Sequence, residues 1–226
     1  MSETGIWMVA ALFLAMVLGA VAFIAVATLR RARQRSQELG LLATKLGLTF
    51  NPDTDKGLPD HFSFLNKLGK GSGRFASNIM AGVYQRRRVL IFDYHYQTSS
   101  GEGTQQVSFS FFILFVPHRF PELTIAPKRL MAKIGSALGF EDIRFESAEF
   151  SEAFCVCSGD KRFAYDVCNQ RMMEYLLGNR DLNIEIERDV LAIGFDRELS
   201  ATQIRRNLAR LLAIRSFIPE HLFNKI

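Results

Sequence analysis

RVLIFDYHYQ, Arg88 to Gln97, and QVSFSFFILFV, Gln106 to Val116, decide the fold. In the first, Leu90, Phe92, Tyr94 and Tyr96 alternate with Val89, Ile91, Asp93, His95 and Gln97; in the second, Val107, Phe109, Phe111, Ile113 and Phe115 make one apolar face. Side chains of an extended chain point to opposite faces in turn, so both segments are predicted as long strands. SSGEG, Ser99 to Gly103, joins them, and Phe75 to Tyr84 is expected to pair with the first through a turn near Gln85 to Arg87. The result is an antiparallel meander.

Working towards the amino terminus, a short strand is expected at Leu48 to Phe50, ended by Asn51-Pro52-Asp53, and a short apolar segment at His61 to Leu68. Before these, Ile6 to Leu29 runs 24 residues without a charge, enough at about 1.5 Å per residue to cross a hydrocarbon core of about 30 Å. It reads as a transmembrane helix, a single-pass signal-anchor. A cleaved signal peptide is the competitor, because Ala25-Val26-Ala27 imitates a cleavage site. No Lys or Arg precedes the run, it exceeds the usual apolar region of a signal, and Arg30, Arg31, Arg33 and Arg35 follow at once. Those arginines favour a short amino terminus outside and the carboxyl-terminal part in the cytoplasm. Residues 30–47 are expected to continue as a juxtamembrane helical stalk, with Leu39, Leu42 and Leu46 on one side. Residues 1–29 are then the anchor and 48–226 the folded part, with a sub-boundary near 140.

Towards the carboxyl terminus, a helix is expected at Pro127 to Leu138, strands at Asp142 to Phe145 and Ala153 to Cys157, and a helix capped by Asp160 that carries Phe163, Val167, Met172, Tyr175 and Leu176. Leu182 to Glu187 and Val190 to Phe195 read as a hairpin over Arg188-Asp189. Ser200 caps a last amphipathic helix that ends before Pro219. Clustered strands with helices between and after them indicate an α+β fold.

Net charge is +5, but the four-arginine flank supplies most of it, and with 48% apolar residues and 20 Phe the chain can bury a sizeable core. The aromatics alternate as core, which excludes nucleic acid as the expected partner. Cys155, Cys157 and Cys168 are odd in number, and residues i and i+2 on a strand lie too far apart for a disulfide, so reduced thiols are expected.

The loop KLGKGSGRFASN, Lys67 to Asn78, raises the question of a phosphate site. A P-loop needs a strand, a glycine turn ending in Lys-Ser/Thr and a helix, whereas FASNIMAGVY after this loop reads as strand. Arg74 stands where a dinucleotide fingerprint needs its last glycine, and Lys70 and Arg74 replace the glycines of a nucleophile elbow. A tight or mobile turn is the expectation, and no cofactor is implied. Lys67, Lys70, Arg74, Arg86, Arg87 and Arg88 occur from His61 to Phe92 without an acid; beside a bilayer they are candidates for anionic headgroups, against the plainer reading of solvated loops. Asp93 and His95 share a strand face and resemble half of an acid–base site, without the companions that catalysis or metal ligation requires. Ala11, Ala15 and Gly19 form a small-residue stripe on which two spans can approach, though such stripes also arise by chance in alanine-rich helices.

FASNIMAG (Phe75 to Gly82) and FDYHY (Phe92 to Tyr96) resemble segments of a family of bacterial single-span membrane-anchored proteins, with Asn78, Gly82 and Asp93 as the matching positions. The resemblance implies a bacterial inner-membrane setting and transfers no catalytic residue. The expected function is a membrane-tethered interaction or regulatory module that binds a partner protein or the anionic membrane surface. The alternative is a membrane-bound hydrolase or nucleotide-binding regulator using Asp93, His95 and the Lys67–Arg74 loop.

Overall fold

The computed structural model describes residues 3–100, 103–130 and 142–223. Its first element is one helix, α1 (Glu3–Leu46), 44 residues and about 66 Å long. It is long and apolar enough to cross a membrane, and its most apolar window has a mean hydropathy of 1.7 with none of it buried. Trp7, Phe13, Leu18, Phe23 and Leu29 all stand exposed, an apolar surface that water does not tolerate on a free helix. The far end of α1 behaves differently. Leu39, Leu42 and Ala43 are buried in the main core, so the segment beyond the arginine flank is packed against the sheet and does not stand free of it. Each such leucine contributes about 2 kcal/mol by its burial. Gly40 lies against the Phe50 ring, where a Cβ would approach to 3.1 Å.

The sheet is antiparallel and follows the expected meander. β1 (Thr49–Asn51) pairs with β2 (Ser72–Tyr84), β2 with β3 (Arg87–Ser100), and β3 with β4 (Gly103–Pro127). β4 also pairs with β5 (Phe154–Ser158) and β6 (Asn183–Gly194). Its two faces are those read from the alternation. Met80, Val89, Ile91, Phe112 and Leu114 meet α1 and the later helices, while Leu90, Phe92, Tyr94, Phe109 and Phe111 meet Phe62, Leu65 and Leu68 from the segment after the four-residue helix α2 (Leu58–His61). The α+β class and the leading apolar helix are therefore as expected.

Four local readings are corrected. β4 does not stop at Val116 but runs through Pro117 and Pro121, where its register with β6 shifts; prolines without N–H groups are accommodated at such irregularities. The expected hairpin over Arg188-Asp189 is the single strand β6, kinked where Arg188 adopts φ 54° opposite Phe120. The helix expected after Asp160 is two: Asp160 caps α4 (Lys161–Val167), and Asn169 accepts from the Met172 N–H to cap α5 (Gln170–Leu177). Asp142 to Phe145 is not a strand, although the Ile143 N–H donates to Val156 O. A six-residue helix, α3 (Ala148–Ala153), begins at an Ser147 cap, and α6 (Ala201–Phe217) begins at the expected Ser200, whose hydroxyl and Gln203 form a reciprocal capping box. Of the helix expected at Pro127 to Leu138, residues 131–138 lie outside the described residues.

Candidate functional site

Asp93 is on the helix-covered face of β3 and is 1% exposed. A carboxylate there requires partners, and it has four donor contacts: Arg35 Nη1 at 2.6 Å and Nη2 at 2.9 Å, Asn78 Nδ2 at 2.9 Å and Ser110 Oγ at 2.8 Å. Arg35 also donates to Leu199 O, and Ser110 Oγ accepts from the Leu199 N–H. Ser36 Oγ donates to Asn78 Oδ1. Asn78 reaches this position because β2 is irregular between Ser77 and Met80, with Asn78 at φ 50°. One carboxylate thus joins α1, β2, β3, β4 and the entry to α6. Burial pulls Arg35 down, but the hydrogen bond and charge of Asp93 outweigh it, and the guanidinium ends above its ordinary value.

His95 faces the same way yet does not join that cluster. Its Nε2 lies 2.8 Å from Ser77 Oγ and its Nδ1 2.8 Å from Ser108 Oγ, and the ring stacks on Phe75 at 4.4 Å. Burial lowers its pKa, against the opposing charge of Asp93. Both nitrogens are engaged by neighbouring strands, so the two residues brought to one face serve as cross-strand ties.

The fold divides the candidate headgroup cations into separate sets. Arg30, Arg31 and Arg33 are exposed on α1, whereas Arg35 is committed to Asp93. An open cleft of about 480 Å³ beside them is lined by Arg31, Arg35, Glu38, Arg197 and Glu198. β2 runs in the direction of α1, since Ser36 meets Asn78, Gly40 meets Phe50 beside Met80, and Gly47 and Leu48 meet Gly82. Arg86, Arg87 and Arg88 at the β2–β3 turn therefore lie at the sheet end away from the apolar part of α1. Arg88 packs over the Phe115 ring at 4.6 Å.

The glycine loop does hold an acidic group, and it is the protein's own. The Lys67 N–H donates to Glu185 Oε1 and Oε2 at 3.2 and 3.4 Å. Glu185 is 4% exposed, and burial pushes its carboxyl up to about 7 against the charge and N–H of Lys67. Lys67 Nζ pairs with Asp196 at 2.9 Å, and Arg74 Nη2 with Asp60 at 2.5 Å. Tyr94 Oη donates to Leu68 O and Lys70 O, and burial raises that phenol to about 12. Gly71, at φ 77°, lies so close to the Tyr96 ring and Gln97 O that a Cβ would overlap them. Gly71 accordingly serves close packing, while Gly73, at φ 59°, serves the left-handed turn. Beneath the loop is a cavity of about 270 Å³, to which Lys67 and Lys70 contribute together with Tyr96, Phe109, Asn183 and Glu185. The sequence reading did not single out Asn183 or Glu185, although polar residues alternating with Ile184 and Ile186 on one strand were a signal.

Cys155, Cys157 and Cys168 are free and buried, with the first two sulfurs 3.6 Å apart; burial raises all three thiols. In the apolar part of α1, Ala15 and Gly19 are exposed, and Gly19 has open space where a Cβ would stand. The side chain of Ala11 lies outside the described residues.

No family model and no curated protein sequence matches the chain. Among solved structures, its fold is similar to the crystal structure of the mycobacterial trehalose monomycolate transport factor A, with a TM-score of 0.59 and 13% identity over 83% of this chain and 97% of that one.

Proposed function

We propose that the protein is a single-span, membrane-anchored accessory module without catalytic activity, held in a bacterial inner membrane with its folded part in the cytoplasm, that works by engaging a partner protein in the same bilayer. The observation that carries this reading is the continuity of α1 from its exposed apolar surface into the core, fixed by the Arg35–Asp93 pair. A partner that moves or turns the span moves the sheet with it, because no flexible linker intervenes. The likeness in fold to a transport factor supports an accessory role beside membrane machinery. Arg30, Arg31 and Arg33, beside the open cleft at Arg197, provide the membrane-surface contact. The Ala11, Ala15 and Gly19 stripe provides the lateral face, for a second copy or a partner helix.

The test is photo-crosslinking in native membranes from a reactive residue placed at Ala15 or Gly19. A discrete protein adduct from Ala15 that disappears on Gly19→Leu is expected. Lipid adducts alone at both positions would overturn the reading. A reporter fused to the carboxyl terminus checks the orientation, and activity confined to the outer side of the membrane contradicts it.

A further inference from the structure

The cavity under the glycine loop has the composition of a ligand site, and the functional reading above makes no use of it. Its polar floor comes from β4 and β6, as Thr124, Asn183 and Glu185, which are 2%, 3% and 4% exposed. Val107, Phe109 and Tyr96 supply apolar wall. Asn183 Oδ1 is buried and has no hydrogen-bond partner among the described residues. A buried amide oxygen left unpaired costs about 1–3 kcal/mol, so a donor that reaches it from the cavity recovers that penalty. Thr124 accepts only a long bond from Asn66 Nδ2, at 3.3 Å.

The charges determine what kind of donor fits. Lys67 is neutralised by Asp196 at 2.9 Å and lies over the Phe109 ring at 4.9 Å, while Lys70 and, above about pH 7, the ionised Glu185 offset each other at the same cavity. An ammonium would meet two lysines, and a carboxylate would meet Glu185 and Asp196. About 270 Å³ is the room of roughly nine water molecules at about 30 Å³ each, enough for a ligand of about a dozen heavy atoms. We infer that this cavity binds an uncharged, hydroxyl-bearing small amphiphile, its hydroxyl donating to Asn183 Oδ1 and its apolar part lying against Phe109 and Val107. Such a compound meets the unpaired acceptor and the apolar wall together, and it adds no charge where the existing charges are balanced.

The experiment uses the full chain in lipid nanodiscs and saturation-transfer NMR, with 1-monobutyrin as probe and butyrate and butylamine as charged comparators. The expected result is saturable binding of monobutyrin above that of empty nanodiscs, weakened at least tenfold by Asn183→Leu and also by Val107→Phe, which fills the cavity. Thermal unfolding of both variants checks that they remain folded, and if Asn183→Leu unfolds, Val107→Phe alone carries the comparison. Binding no greater than that of empty nanodiscs, binding equal in the folded variants, or tighter binding of either charged comparator overturns the inference. The photo-crosslinking of the span is independent of this outcome.

Discussion

Arg35 and Asp93, 58 residues apart, form a two-pronged ion pair at 2.6 and 2.9 Å between the helix that carries the apolar run and the middle of the sheet. Removing one partner leaves the other charged and nearly dry, a loss of about 3–5 kcal/mol for a fully buried pair. Arg35 retains some solvent, with its side chain 19% exposed against 2% for Asp93. Arg35→Met, which strands the drier group, is therefore expected to cost about 3 kcal/mol and Asp93→Asn about 2 kcal/mol by denaturant unfolding. The reverse order would assign the burden to the guanidinium.

Glu185 gives stability a pH dependence of known sign. Its folded carboxyl titrates at about 7, above the ordinary 4.5, so the native state holds a proton that the unfolded chain has released. Stability from this group is present below about pH 4.5 and is lost as pH rises towards 7. Glu185→Gln removes the titration while keeping an acceptor for the Lys67 N–H. Its stability relative to the parent should improve by about 3 kcal/mol between pH 4.5 and pH 8, measured by urea midpoints. A constant difference across that range would contradict the assignment.

Much of this was legible because period-two alternation is robust: both faces of β3, and the apolar face of β4 from Val107 to Phe115, were correct residue by residue. What hid was interaction across long sequence separations. Arg35 reads as one more topological arginine, and only the position of Asp93, on a face with Val89 and Ile91, signals that an acid must find a cation. The β6 misreading has a local cause. Arg188-Asp189 resembles a two-residue turn, yet a positive-φ residue inside a strand produces a kink with the same polar signature. Asn169 was likewise a cap concealed within helical spacing that runs on from α4 into α5. The sequence reading took Asn78 and Gly82 from a resemblance alone. Each proves to have a physical reason: Asn78 is a positive-φ residue of an irregular strand, and Gly82, at φ 152°, lets Leu48 approach where a Cβ would come within 3.0 Å of its Cδ2.

The glycine loop makes a ranked prediction. Gly71 has both a left-handed backbone and no room for a Cβ, whereas Gly73, at φ 59°, has only the first constraint, with Gln97 atoms 3.6 Å away. Gly73→Ala should cost about 1 kcal/mol from backbone strain, and Gly71→Ala at least twice that. Equal losses in equilibrium unfolding would show that the Tyr96 contact does not hold the loop.

The β2–β3 turn can be improved. Tyr84 pairs with Arg87, leaving Gln85 and Arg86 as a two-residue connection at φ 47° and 64°. Asn-Gly is the favoured sequence for that geometry. Gln85→Asn with Arg86→Gly is expected to raise stability by about 1 kcal/mol in the same assay. Because this turn lies at the sheet end away from the span, the double change should leave flotation of residues 30–226, which keep the arginine flank and the Arg35–Asp93 pair, with anionic liposomes unaltered.

The most direct test is a double-mutant cycle on Arg35→Met and Asp93→Asn, read by reversible unfolding in detergent micelles. If the pair fastens the anchor helix to the sheet, the double variant loses about 2 kcal/mol less than the sum of the two single losses. Strict additivity of the two losses would mean that helix and sheet are not coupled through this contact.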